Sequence, residues 1–273
     1  MFELGVITDE ISLDVEKSVS VAKELGLDCI ELRSCWDKNV KDLTDVEVLK
    51  IKNIAKRAGL RVVCVASPFF KCSITGPAEV KEHMGFLPRV IEITKLLDAE
   101  LVRGFAFWSM KDTSKYWSPM IGKLREAADL CREEGVVLAL ENEYSTIVGT
   151  GKESRRAVEE VGSKSLRLVW DPGNAFCAGE VPYPDGYVEA RDYMVHMHVK
   201  DGVRDKSTGE VRFVAVGSGE IDYAGQFKAL ADDGYDGCVS IETHYRIQGD
   251  GEKSTRQLHA GLKKIMGDLG LKK

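Results

Sequence analysis

Gly135-Val136-Val137-Leu138-Ala139-Leu140-Glu141 is a short apolar run that stops on a carboxylate. Three other runs share its plan: Leu166-Arg167-Leu168-Val169-Trp170 stops at Asp171, Tyr193-Met194-Val195-His196-Met197 at His198, and Gly237-Cys238-Val239-Ser240-Ile241 at Glu242. Runs of this length, rich in Val, Ile and Leu, read as buried strands. Working outward, the strand candidates are Phe2–Thr8, Cys29–Arg33, Arg61–Ala66, Leu101–Phe105, Val136–Glu141, Leu166–Asp171, Met194–His198 and Cys238–Glu242. Amphipathic helix candidates fall between them at about 12–25, 44–58, 78–98, 114–134, 151–161, 186–192, 222–233 and 253–269. Strands alternating with helices predict parallel βα units, and eight such pairs predict an α/β chain folded as a single (β/α)8 TIM barrel.

Local punctuation agrees with that period. Thr44 followed by Glu47, and Asp222 before Tyr223, match helix N-caps, while Gly26, Gly59, Gly135 and Gly234 stand where a helix end needs positive φ. An open doubly wound sheet is the architectural rival. It carries a Gly-rich phosphate loop after its first strand, and Val6-Ile7-Thr8-Asp9-Glu10 offers none.

The chain has 273 residues, which suits one barrel domain over 1–273, since such barrels commonly occupy about 250 residues. A net charge of −6 argues against a broad nucleic-acid footprint and for a small-molecule partner. The seven cysteines are scattered without a C-x-x-C pair, which fits a reducing compartment. Met1-Phe2-Glu3-Leu4-Gly5 begins no basic-then-apolar leader, and no run approaches the roughly 18 apolar residues of a membrane span. These features predict a soluble cytoplasmic protein with no membrane partner, compatible with a homo-oligomer.

In a parallel barrel the C-terminal strand ends share one face, where sites of this fold sit. Glu141, Asp171, His198 and Glu242 therefore meet at one mouth. Three carboxylates so close resist joint ionisation unless a cation lies among them, and oxygen-rich ligation with one nitrogen suits Mn²⁺, Mg²⁺ or Co²⁺, with Zn²⁺ also admissible. The bland alternative, that each acid only caps the next helix, explains any one of them better than it explains the set. Side chains two apart on a strand share a face, so His196 and His198 point the same way. His198 lies nearer the mouth and is the predicted ligand; His196 is a deeper supporting or core histidine. Lys200 continues that face and either steers an anion, pairs with Asp171 or is solvated. Trp36, Phe70 and Trp108 follow strands and either wall a sugar site or simply pack. Gly217-Ser218-Gly219 reads as a tight turn, with a phosphate cradle as the rarer alternative.

The ordered set Leu140-Glu141-Asn142, Trp170-Asp171-Pro172-Gly173-Asn174, His196-Met197-His198-Val199-Lys200-Asp201, Val216-Gly217-Ser218-Gly219-Glu220-Ile221-Asp222 and Ser240-Ile241-Glu242-Thr243 resembles the xylose isomerase-like TIM-barrel superfamily over the whole chain. That resemblance implies one metal held by Glu141, Asp171, His198 and Glu242. It also implies acid/base roles for Glu141 and Glu242, in sugar, sugar phosphate or keto-polyol isomerisation or epimerisation through a metal-stabilised enediolate. It implies substrate contacts at Arg204, six residues after the ligand histidine, and at Asn174, where related ketose 3-epimerases carry a histidine. Ile147 stands where they carry an acidic contact. His196, Lys200 and Trp108 complete the expected substrate side.

The nearest rival is a lyase on the same scaffold, like the inosose and dehydroshikimate dehydratases, in which the same proton abstraction expels a β-hydroxyl. An endonuclease IV-like phosphodiesterase needs a three-metal cluster richer in histidine than the five scattered histidines of this chain provide. A non-catalytic carbohydrate-binding barrel is the remaining rival.

Overall fold

The computed structural model describes residues 2–271; Met1, Lys272 and Lys273 lie outside the described residues. Eight parallel strands close into a barrel in sequence order. They are β1 (Glu3–Ile7), β2 (Cys29–Leu32), β3 (Arg61–Phe69), β4 (Leu101–Gly104), β5 (Val137–Glu141), β6 (Leu166–Trp170), β7 (Met194–Val199) and β8 (Cys238–Ile241). The surrounding helices are α1 (Val15–Glu24), α2 (Asp45–Ala58), α3 (Pro77–Leu96), α4 (Ser114–Glu133), α5 (Gly151–Val161), α6 (Pro172–Cys177), α7 (Tyr187–Ala190), α8 (Tyr223–Asp232) and α9 (Gly251–Asp268). The barrel class and all eight strands are as the sequence predicts.

Alternation along each strand sorts its side chains between two cores. Leu4, Val6, Leu138, Leu140, Val239 and Ile241 are buried in the main apolar cluster that joins barrel and helices. Gly5 takes the opposite face: a Cβ there would lie 2.8 Å from the Cys29 and Cys238 sulfurs and from Ser240 Oγ. Those thiols, with Val63 and Cys64, form a separate small cluster. Trp170 is fully buried, and truncation to Ala should cost about 3–5 kcal/mol.

The predicted caps form. Thr44 and Glu47 make a reciprocal capping box, Asp222 accepts from Gly225 N, and Gly59 ends α2 in the left-handed region at φ 79°. Differences from the sequence reading have local causes. Strand β3 runs three residues beyond Ala66, through Pro68; its register with β4 shifts between Val65 and Phe69, so the proline falls where regular pairing is suspended. Helix α6 was not predicted. Its signal was Pro172 in the first turn directly after Asp171, whose side chain accepts from Asn174 N. The segment predicted as a helix over 186–192 is one α-turn at Tyr187–Ala190 flanked by irregular helical turns. Beyond β7 the chain also forms an unpredicted antiparallel hairpin, Asp201–Arg204 with Val211–Val214. No helix among the described residues is long and apolar enough to cross a membrane, and all seven cysteines are free thiols.

Candidate functional site

Glu141 is the last residue of β5, His198 the penultimate residue of β7, and Asp171 and Glu242 directly follow β6 and β8. All four are buried. One donor atom from each can be chosen so that all lie within 4.8 Å of one another. His198 Nδ1 is central, 3.5 Å from Glu141 Oε1, 3.8 Å from Asp171 Oδ2 and 3.7 Å from Glu242 Oε2.

Each of these groups is aimed by a partner outside the cluster. Glu31, on β2 and fully buried, takes His198 Nε2 on Oε2 at 3.3 Å and His196 Nε2 on Oε1 at 2.6 Å. Engaging Nε2 leaves His198 Nδ1 for the centre, the usual way in which a supporting carboxylate orients a ligand histidine. Asp171 divides its oxygens: Oδ1 accepts from Asn174 N at 2.8 Å as the cap of α6, and Oδ2 faces inward. Its backbone is pinned by Asn142, which accepts from Asp171 N at 2.8 Å and donates to Asp171 O at 2.9 Å. Asn174 Nδ2 donates to Glu141 Oε1 at 3.0 Å and to Asn142 O at 2.9 Å. Arg103, on β4, brings Nη1 within 3.1 Å of Glu141 Oε2 while Nη2 donates to the carbonyls of Ala66 and Ser67.

Glu242 stands among basic side chains. Oε1 meets Arg33 Nη1 at 2.8 Å and His244 Nε2 at 3.1 Å, and Oε2 accepts from Lys200 Nζ at 2.6 Å. Arg33 also clasps Asp9 at 3.0 Å and Glu10 at 2.6 Å. Lys200 Nζ reaches Asp171 Oδ2 at 2.8 Å.

The electrostatics call for positive charge at the middle. Burial opposes the imidazolium of His198, yet Glu31 and Glu141 raise its pKa well above the ordinary range. Burial likewise opposes the Lys200 ammonium, and Asp171 and Glu242 more than offset it. Burial pushes the Glu141 carboxyl up, but Arg103 and His198 hold it down at about 2. Glu141 Oε2, Asp171 Oδ2 and His198 Nδ1 are buried without an aligned hydrogen bond, despite ionic neighbours. Three carboxylates converging on one imidazole nitrogen make an oxygen-rich set that fits a hard divalent cation.

A cavity of about 240 Å³ opens over Glu141 and Glu242, lined also by Arg33, Lys71, Arg103, Phe105, Glu143 and His244. That is smaller than the roughly 300 Å³ at which drug-sized pockets begin and suits a small solute. Several mouth turns are strained: non-glycine residues take positive φ at Trp36 (49°), Phe70 (59°), Phe107 (58°) and His244 (52°). Phe213 of the hairpin packs edge-on against the His244 ring at 5.1 Å.

The predicted ligands thus come together, whereas the predicted substrate contacts mostly do not. Asn174 and His196 are fully buried and hold Glu141 and Glu31. Lys200 is an ion-pair partner of Asp171, as one of the readings had it. Arg204 donates to the carbonyls of Phe176 and Gly209 and stacks on the Phe176 ring, so its guanidinium braces the hairpin. It is absent from the cavity lining, as is Trp108, which stands 5.6 Å from Lys71 Nζ. Phe70 is stacked between Phe69 and Phe107, and Trp36 bonds Glu16 under Lys50; both serve packing. The Gly217–Gly219 turn has its N–H groups filled from within: Asp201 Oδ2 accepts from Gly217 at 2.9 Å and Gly219 at 3.0 Å. Residues missed from sequence are Glu31, Arg33, Lys71, Arg103 and Asn142. A charged residue inside an apolar strand, as in Cys29-Ile30-Glu31-Leu32 and Leu101-Val102-Arg103-Gly104, was the available signal for two of them.

The family described as xylose isomerase-like TIM barrel matches residues 19–265. An inosose dehydratase of Clostridium perfringens is 24% identical over 229 residues, covering 72% of this chain and 73% of that one. A D-psicose 3-epimerase of Ruminiclostridium cellulolyticum is 22% identical over 252 residues, covering 88% and 82%. Among solved structures, a xylose isomerase domain protein of Planctomyces limnophilus superposes with a TM-score of 0.79 at 14% identity, over 99% of each chain.

Proposed function

The chain belongs to the xylose isomerase-like TIM-barrel family, and from that premise we propose that it isomerises or epimerises a small ketose or keto-polyol by moving a proton beside a carbonyl. The observation that supports this reading is the convergence of Glu141 Oε1, Asp171 Oδ2 and Glu242 Oε2 on His198 Nδ1, at 3.5, 3.8 and 3.7 Å, beside a small cavity lined by charged side chains. Glu141, Asp171, His198 and Glu242 would hold one divalent ion, with Mn²⁺, Mg²⁺ or Co²⁺ suited to the donors. When bound, such an ion polarises a carbonyl oxygen and so acidifies the neighbouring C–H.

The remaining work belongs to the chain. Glu141 and Glu242 flank His198 Nδ1 from two strands, which suits one to take a proton from carbon and the other to return one. Positioned groups of this kind contribute about 10² to 10⁴ in rate. Asn174 and Arg103 fix the Glu141 carboxylate, and Arg33 and His244 fix that of Glu242. Phe105 offers an apolar wall, and Lys71, paired with Glu143 at 3.0 Å, a polar rim. The scattered free thiols suit a cytoplasmic location.

A second reading, dehydration, is supported by the inosose dehydratase relative. Metal analysis followed by NMR of keto-sugars and keto-inositols in D₂O separates the two. Deuterium entering carbon with the carbon skeleton and hydroxyls retained supports isomerisation or epimerisation; loss of water supports dehydration. A protein that takes up no divalent ion and exchanges no C–H would sink both.

A further inference from the structure

We propose that Lys200 is a resident counter-charge that rivals the divalent ion for Asp171 and Glu242, holding the ion-free site together and setting the ion's affinity lower than the donor set alone would. The inference rests on the reading that these acids, with Glu141 and His198, are the ligands. Lys200 Nζ lies 2.8 Å from Asp171 Oδ2 and 2.6 Å from Glu242 Oε2. Those are the same oxygens that face His198 Nδ1, at 3.8 and 3.7 Å. The ammonium has no other partner among the described residues, unlike Arg103, which spends Nη2 on two backbone carbonyls.

The lysine is built into place rather than resting there. It is 1% exposed. The Tyr223 hydroxyl donates to Lys200 O at 2.7 Å and accepts from Lys200 N at 3.1 Å, fixing the backbone from both sides. A Cβ on Gly173 would fall 2.3 Å from Lys200 Cγ, so the second residue of α6 is a glycine over the lysine stem. An ammonium and a divalent ion drawing on the same two oxygens repel each other at short range in a dry site, where Coulomb terms are large. The ion therefore binds against Lys200 as well as toward the carboxylates.

The test is Mn²⁺ titration calorimetry and thermal melting of the ion-free wild type, Lys200→Met and Lys200→Arg. Lys200→Met should bind Mn²⁺ about tenfold more tightly or better, while its ion-free form melts below wild type; Lys200→Arg should show no tightening. A purely structural lysine gives the opposite sign, since its loss would loosen the ligands and weaken binding. If ion-free Lys200→Met does not fold, protein refolded with Mn²⁺ is mixed with excess EDTA and the release rate compared with wild type. Slower release is the expected result. Equal or weaker binding, or equal or faster release, overturns the inference alone. A wild type that binds no divalent ion overturns the ligand set and the inference with it.

Discussion

Glu141 and Glu242 face the same imidazole nitrogen from opposite sides of the barrel mouth, yet their surroundings differ. Glu141 is held by one arginine that is 5% exposed and by one buried amide. Glu242 is held by Lys200, by His244, and by an Arg33 that is 23% exposed and itself shared with Asp9 and Glu10. One carboxylate is fixed by few contacts in a dry wall. The other is the inner end of a charge belt that reaches solvent. Rigidity of the first depends on single partners, while that of the second is distributed, so the two sides should fail differently.

Asp171 belongs to both sides, and removing it breaks the comparison altogether. Asp171→Ala should abolish turnover and lower Mn²⁺ affinity by at least about 100-fold, read by titration calorimetry, because it deletes a ligand as well as the cap of α6. Glu141→Gln and Glu242→Gln should each cost about 10² to 10⁴ in kcat. Deuterium incorporation then sharpens the contrast: a variant that still exchanges substrate C–H into D₂O while forming no product has lost the group that completes the transfer. Exchange surviving in both variants would refute the assignment.

The supporting cations come next. Arg103→Met should cost about 3–5 kcal/mol in urea denaturation, since it strands Glu141 beside a broken buried pair. Arg33→Met should cost less, because partly hydrated partners remain. The belt also predicts a pH effect. Burial raises the Glu10 carboxyl, but Arg33, together with Thr243, holds it down at about 2. A carboxyl depressed from 4.5 to about 2 stabilises the fold above pH 4.5 and loses that contribution as pH falls toward 2, a contribution of about 3 kcal/mol. Glu10→Gln should therefore be less stable at pH 7 and flatter between pH 5 and 2, as followed by thermal melts. The smallest effect is expected at Arg204. Its guanidinium meets carbonyls of Phe176 and Gly209, so Arg204→Ala should leave kcat/KM within about threefold and cost about 1 kcal/mol.

Much of this was legible in sequence, and the division has physical causes. Apolar runs of strand length, alternating with amphipathic stretches, specify a barrel because both periodicities are local. The clustering of Glu141, Asp171, His198 and Glu242 was legible because each ends such a run and the fold brings those ends together. Glu31 was only half legible: a charge inside Cys29-Ile30-Glu31-Leu32 marks it locally, but its facing His196 and His198 is a long-range fact that no local pattern carries. Asn174 was assigned to substrate because its position matches a substrate-binding histidine. In the structure its Nδ2 reaches Glu141 and Asn142 O. Arg204 occupies the expected spacing after His198, and the unpredicted hairpin turns its side chain toward α6.

The Asp201 carboxylate takes hydrogen bonds from Gly202, Gly217, Gly219 and Ile221 in a turn with no space for a Cβ at Gly219. The turn is in effect an anion receptor shipped with its own plug, tethered three residues beyond His198. Removing that side chain, as in Asp201→Gly, would leave four backbone N–H groups without their acceptor, and the variant should melt below wild type.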